Sequence, residues 1–95
     1  MTDRNALKEK LNAVHVFPCT YVYKVIGENS AEFIARVVQA AVHVVGDAGD
    51  LSVATRESSG GKHLAVTLTV GVVDAETVLD IYEMLRIVDG VRFML

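Results

Sequence analysis

Apolar periodicity in this chain switches between two residues and about 3.6 in the order strand, helix, strand, strand, helix, strand. Fitted into 95 residues, that order leaves few folds open, because each strand–helix–strand unit needs a right-handed crossover. Cys19 to Ile26 alternates as a first strand rich in β-branched and aromatic residues, with Tyr21, Tyr23 and Val25 on one face and Thr20, Val22 and Lys24 on the other. Gly27 is expected to end it, and Asn29 with Glu32 three residues on reads as a capping-box-like helix start. The spacing predicts a helix from about Ser30 to Val45, stopped by Gly46, with Phe33, Val37, Ala40, Ala41 and Val44 as its core stripe. Ile34, Val38, Val42 and Val45 widen that apolar arc beyond what one sheet contact needs.

Asp47 to Asp50 is a turn by composition. Leu51–Glu57 and His63–Val72 then alternate as two strands joined by Ser58-Ser59-Gly60-Gly61-Lys62, a hairpin signal. Asp74 is suited to cap a second helix whose apolar positions are Val78, Ile81, Tyr82, Leu85 and Val88. Asp89-Gly90 stops that helix, and Val91 to Leu95 forms a short last strand. Two such units give an α+β fold, the ferredoxin-like βαββαβ sandwich. It is a four-stranded antiparallel sheet, first and third strands central, with two helices on one face. Residues 17–95 make this single domain, and residues 1–16 form an N-terminal arm in which Leu7, Leu11 and Val14 space a short helix.

Composition narrows the surroundings. The chain is 52% hydrophobic with a mean hydropathy of +0.37, high for a small domain. Charges interrupt every apolar run before membrane-spanning length. The surplus points to a further buried surface such as a homo-oligomer interface, formed by the Ile34–Val38–Val42–Val45 arc or by the edge of the last strand. The opening segment lacks the apolar stretch of a signal peptide, and Cys19 is the single cysteine, so a reducing cytoplasm is the expected location. A net charge of −3 argues against non-specific nucleic-acid binding and leaves a local basic face open.

Three segments carry a family resemblance. Phe17-Pro18-Cys19-Thr20-Tyr21-Val22-Tyr23-Lys24-Val25-Ile26-Gly27, Ser58-Ser59-Gly60-Gly61-Lys62-His63 and the ending from Leu85 to Leu95 together resemble the YbeD-like proteins, over about residues 15 to 95. That family is bacterial, has no assigned enzymatic activity, and has a fold similar to ACT regulatory domains. The resemblance therefore implies a ferredoxin-like fold and a regulatory role, and it carries over no catalytic residue.

By alternation, the sheet face turned from the helices presents Lys24, Arg56, His63, Ala65, Thr67, Thr69 and Arg92, while Glu76, Asp80 and Glu83 sit on a helix. Such a face suits an acidic partner or an anionic ligand. RNA-recognition modules share the topology but stack bases on central-strand aromatics; here Tyr21 and Tyr23 fall on the core face. The loop holding Gly27, Asn29 and Ser30 is a second candidate, since helix N-termini favour anions, although Glu28 within it opposes an anion unless it pairs with a ligand amine. Gly60-Gly61-Lys62 lacks the earlier glycine, the following Ser or Thr and the helix of a phosphate loop. His15, His43 and His63 make no local metal pair, and Asp47 and Asp50 read as turn formers. Ser58 and Ser59 have no signalled base, and Cys19 no local activating partner.

The expectation is thus a non-catalytic regulatory or adaptor domain working through protein–protein binding or self-association. It has no metal, no cofactor and no catalytic residue. The alternative is an ACT-like sensor of an amino acid or small anion.

Overall fold

In the computed structural model, residues 3–46 and 50–95 are described; most of the predicted turn from Asp47 lies outside them. The elements are α1 (Arg4–Val14), β1 (Cys19–Glu28), α2 (Ala31–Val45), β2 (Leu51–Glu57), β3 (His63–Val72), α3 (Ala75–Arg86) and β4 (Val91–Met94). The strands form one sheet in the order β2-β3-β1-β4, with every neighbouring pair antiparallel. This is the ferredoxin-like arrangement, with β1 and β3 central.

The core follows from the pleat. Successive side chains leave a strand on opposite faces, and β3 buries every second residue: Leu64, Val66, Leu68, Val70 and Val72. Tyr23 and Val25 extend that face on β1, and Phe33, Val37, Ala41, Val78, Ile81 and Leu85 close over it from the two helices. Cutting a fully buried Phe33, Leu68 or Ile81 to Ala typically costs about 2–5 kcal/mol. Tyr23 keeps its hydroxyl satisfied by donating to the carbonyl of Val78 at 2.8 Å, and burial pushes its pKa well above the ordinary value.

Several local expectations shift. Ser30, not Asn29, caps α2, its hydroxyl oxygen accepting from the Phe33 N–H at 3.1 Å; either residue type can cap, and the extended backbone at position 30 decides. Gly27 does not end β1, which continues through Glu28. Tyr21 is half-buried, stacked obliquely on Tyr23 with ring centroids 5.0 Å apart. Tyr82 is 45% exposed and Val14 faces solvent, α1 packing on α3 instead of on the sheet. The arc of Ile34, Val38, Val42 and Val45 is half-buried, and all but Val42 pack on the core. It is therefore not the free apolar surface that the composition implied.

The predicted arm helix forms, and charge holds it down. None of its residues is fully buried. Arg4 sits among three carboxylates of α3, pairing with Glu76 at 3.2 Å, Glu83 at 3.0 Å and Asp80, while Lys8 meets Glu76 at 2.9 Å. The Lys8 ammonium, with Arg4 beside it, holds the Glu76 carboxyl below its ordinary value of 4.5. A depressed carboxyl contributes stability above its unfolded pKa and loses it as pH falls through the folded one. Acidification below about pH 4.5 should therefore release α1 first, as should about 1 M NaCl, which shortens the screening length to about 3 Å. The readout is amide exchange: residues 4–14 accelerate while β1 and β3 stay protected. Unchanged exchange in α1 under both conditions would show that Leu7 and Leu11 hold it instead.

Candidate functional site

Register across the sheet orders the open face into rows. Arg56, Ala65, Ile26 and Phe93 lie opposite one another across the four strands. The next row is Ala54, Thr67 and Lys24, continued by Leu95, whose N–H donates to the Lys24 carbonyl at 2.9 Å. Beyond it come Ser52, Thr69 and Val22. Lys24 and Arg56 thus stand two strands and two residues apart, roughly 12 Å between backbones on standard strand spacings. They share a face without converging on one point.

Phe93 reaches this face because of a register shift between Ile26 and Gly27, where Arg92 is the unpaired residue of β4. A bulge adds one residue to one strand and so displaces simple alternation. Arg92 is exposed beside this break. The outcome is a stripe that counting charges along the strands missed: Val22 (57% exposed), Phe93 (54%) and Leu95 (74%), with half-buried Ile26, surround Lys24. The β2–β3 half of the face is small and polar apart from Arg56, with Ala54, Ala65, Thr67 and Thr69. The signal was present in sequence as an apolar residue on each side of Lys24 in β1, at Val22 and Ile26.

The loop residues are each engaged structurally. Gly27 is buried, and a Cβ there would lie 2.4 Å from the Gly90 carbonyl oxygen and 2.5 Å from the Phe33 ring. Asn29 donates through its amide to Glu57 at 3.0 Å and to the Gly61 carbonyl at 2.8 Å, tying the end of β1 to the β2–β3 hairpin. Ser30 caps α2 and donates to Glu28 at 3.3 Å, and Glu28 in turn pairs with Arg36 at 3.5 Å. The helix N-terminus therefore already holds a carboxylate of its own, which suits its dipole. Beside it lies a cleft of about 520 Å³ lined by Glu28, Asn29, Lys62, His63, Gly90 and Arg92. This cleft brings His63 and Arg92 of the predicted basic face next to Asn29 of the predicted loop. Among the described residues, neither Lys62 nor Arg92 forms an ion pair.

Among the described residues no group of three or more His, Cys, Asp or Glu side chains is placed to hold a metal ion, and no helix is long and apolar enough to cross a membrane. Cys19 is a half-buried free thiol.

The sheet order and the two helices on one face make a ferredoxin-like fold similar to that of ACT domains. The fold resembles the solution structure of protein HP0495 from H. pylori, with a TM-score of 0.68 at 16% identity over 85% of each chain. It also resembles the ACT domain from GTP pyrophosphokinase of Chlorobium tepidum, with a TM-score of 0.61 at 12% identity over 80% of this chain and 94% of that one. The model of the family described as "Protein of unknown function (DUF493)" matches residues 12–95, and the chain belongs to that family. A UPF0250 protein of Pectobacterium carotovorum is 35% identical over 89 residues, 94% of this chain and all of the relative. A UPF0250 protein of Klebsiella pneumoniae is 34% identical over the same span. The YbeD-like resemblance and these relatives agree.

Close backbone approach at Gly27 yields a test. Gly27→Ala should destabilise the domain by about 1–3 kcal/mol, as overpacking does, because a backbone carbonyl on one side leaves less room to yield than a side chain. A urea midpoint equal to wild type would show that β1 and the Gly90 turn shift apart freely.

Proposed function

We propose that this chain is a non-catalytic regulatory or adaptor domain that acts through protein–protein binding on the open face of its sheet, or through self-association. The observation that carries the reading is the uncovered stripe of Val22, Ile26, Phe93 and Leu95 around Lys24. Large exposed apolar residues gathered on one surface mark interaction sites, and an aromatic beside cations is a common interface composition. With Arg56 and Arg92 at its flanks, the stripe fits an amphipathic partner segment whose polar side is acidic. The carrying feature is a surface and not a reacting group, so the reading is non-catalytic. A reducing compartment such as the bacterial cytoplasm suits the free thiol of Cys19. The likeness to an ACT domain supports a regulatory setting through fold alone.

A photo-crosslinking residue placed at Val22 tests this, with one at Gln39 on α2 as the control. The expected outcome is a discrete adduct in cells from position 22 only, lost when Phe93→Asp is added. Exposed positions such as these usually tolerate substitution within about 0.5 kcal/mol, so the fold should persist. Equal adducts from both positions, or none from either, would overturn the open-face reading.

A second reading, a sensor of an amino acid or small anion, is favoured by the cleft that joins Lys62, His63 and Arg92 to Glu28. The cations match a carboxylate and Glu28 matches an amine. A thermal-shift series with amino acids and dicarboxylates checks it. A true ligand at about 100 times its Kd should stabilise the domain by about 2.7 kcal/mol, and Lys62→Ala with Arg92→Ala should abolish the shift. A flat response across the series would retire it.

A further inference from the structure

The geometry points to the uncovered stretch of the β1 edge, from Cys19 to Tyr23, as a docking site for an extended segment of a partner protein. That segment has apolar residues at alternate positions and an acidic end, and it adds to the sheet as a strand in line with β4. The inference goes beyond the open-face reading, because it uses backbone groups in the plane of the sheet and a groove on its helix side.

β1 has ten residues and β4 only four, so β4 covers part of that side of β1 and no more. It pairs with Val25, Ile26 and Gly27, and the Leu95 N–H reaches the Lys24 carbonyl. Backbone groups alternate between the two sides of a strand. Lys24 points toward β4, and Val22 and Thr20 point the same way, whereas Tyr21 and Tyr23 bond to Val70 and Leu68 of β3. Among the described residues no backbone hydrogen bond reaches Thr20 or Val22 from the β4 side. An unpaired run of this kind is a template for one more strand, and strand addition is a recurring mode of peptide recognition.

The side chains beside this edge say what kind of strand fits. α1 packs on α3 and not on β1, which leaves a groove of about 620 Å³ lined by Leu7, Leu11, Val14, Tyr21, Tyr82 and Leu95. Val14, Val22, Tyr82 and Leu95, four of the nine large apolar side chains exposed among the described residues, line this one groove. An added strand would send every second side chain to the helix side, level with Tyr21 and Tyr23. Those side chains enter the groove and should be apolar.

Charge sets the end of the segment. Lys10 lines the groove and forms no ion pair among the described residues, although Arg4 and Lys8 of the same helix are both paired. An acidic residue beside it would meet a cation that is not already engaged. A small apolar ligand would fill the groove and leave the groups of Thr20 and Val22 without partners. A helix has no free backbone groups along its length to offer them. An extended peptide satisfies both the groove and the edge.

Residue-resolved amide exchange on the full chain tests this, with the capped peptide acetyl-Glu-Leu-Thr-Leu-Thr-Glu-amide as the probe. In the free protein, Thr20 and Val22 should exchange at least about tenfold faster than Tyr21 and Tyr23, and saturating peptide should slow both outward amides by about as much. A peptide ending in lysines instead of glutamates should bind more weakly. Thr20→Pro deletes one outward N–H, a change that edge strands tolerate, and should weaken binding about fivefold to tenfold, as one lost backbone hydrogen bond does. Val14→Trp fills the groove from an exposed position and should weaken binding too, which keeps the test decisive should the proline variant misfold. Phe93→Ser should leave binding unchanged, which separates this edge from the open face. The proposal is overturned by Thr20 and Val22 amides as protected in the free protein as Tyr21 and Tyr23, or by a peptide that leaves them unprotected. Equal binding of the lysine-ended peptide, or binding that neither Thr20→Pro nor Val14→Trp reduces, would overturn it as well.

Discussion

The packing of β3 and β1 against α2 and α3 is the contact on which every other feature depends. β3 is bonded on both sides, to β2 and to β1, and buries each alternate side chain from Leu64 to Val72. A slip of one residue would turn all five to the other face, so burial itself enforces the register. Once that register holds, the open face is determined as well: Thr67 must lie beside Lys24, and Ala65 must lie between Arg56 and Ile26. The arrangement of the candidate surface is thus a consequence of core packing, one pleat removed.

The same constraint explains what could be read directly from the residues. Period-two runs at Cys19–Ile26, Leu51–Glu57 and His63–Val72, with two helical stripes between and after them, were sufficient for the element order, the central strands and the core. Lys24, Arg56, His63 and Thr67 follow from alternation alone, because their strands pair without interruption. Arg92 and Phe93 do not follow, since the register shifts opposite Ile26 and Gly27, where Gly27 lies close to Gly90, a contact between segments far apart in sequence. Asn29 and Ser30 are equally good caps locally. The extended backbone at position 30 gives the cap to Ser30, while the Asn29 amide donates to Glu57 and Gly61 of a distant hairpin, a contact that no local pattern shows. The half-burial of the α2 arc is likewise invisible to a helical wheel, which shows where apolar residues lie but not how much of each the rest of the core covers.

Charge is divided between two tasks. The carboxylates Glu76, Asp80 and Glu83 of α3 are engaged by Arg4, and Glu76 by Lys8 as well, so much of that helix's acidity is neutralised locally. Glu28 is engaged by Arg36 and Ser30. Lys24, Arg56, Lys62 and Arg92 form no ion pair among the described residues. A chain with net charge −3 therefore leaves four cations unpaired on its sheet and hairpin. Paired surface charges contribute little beyond holding local structure, whereas unpaired ones shape the field that an approaching partner meets.

The two edges and the open face then divide the remaining apolar surface. β4 guards its own edge by being short and bulged, and the same bulge delivers Phe93 to the open face beside Leu95 and Ile26. β2 has neither device and leaves its helix-side Val53 uncovered. Edge pairing uses backbone groups in the plane of the sheet, whereas the stripe of Val22, Ile26, Phe93 and Leu95 projects out of it, so an edge and the open face offer separate surfaces that both follow from the same core register.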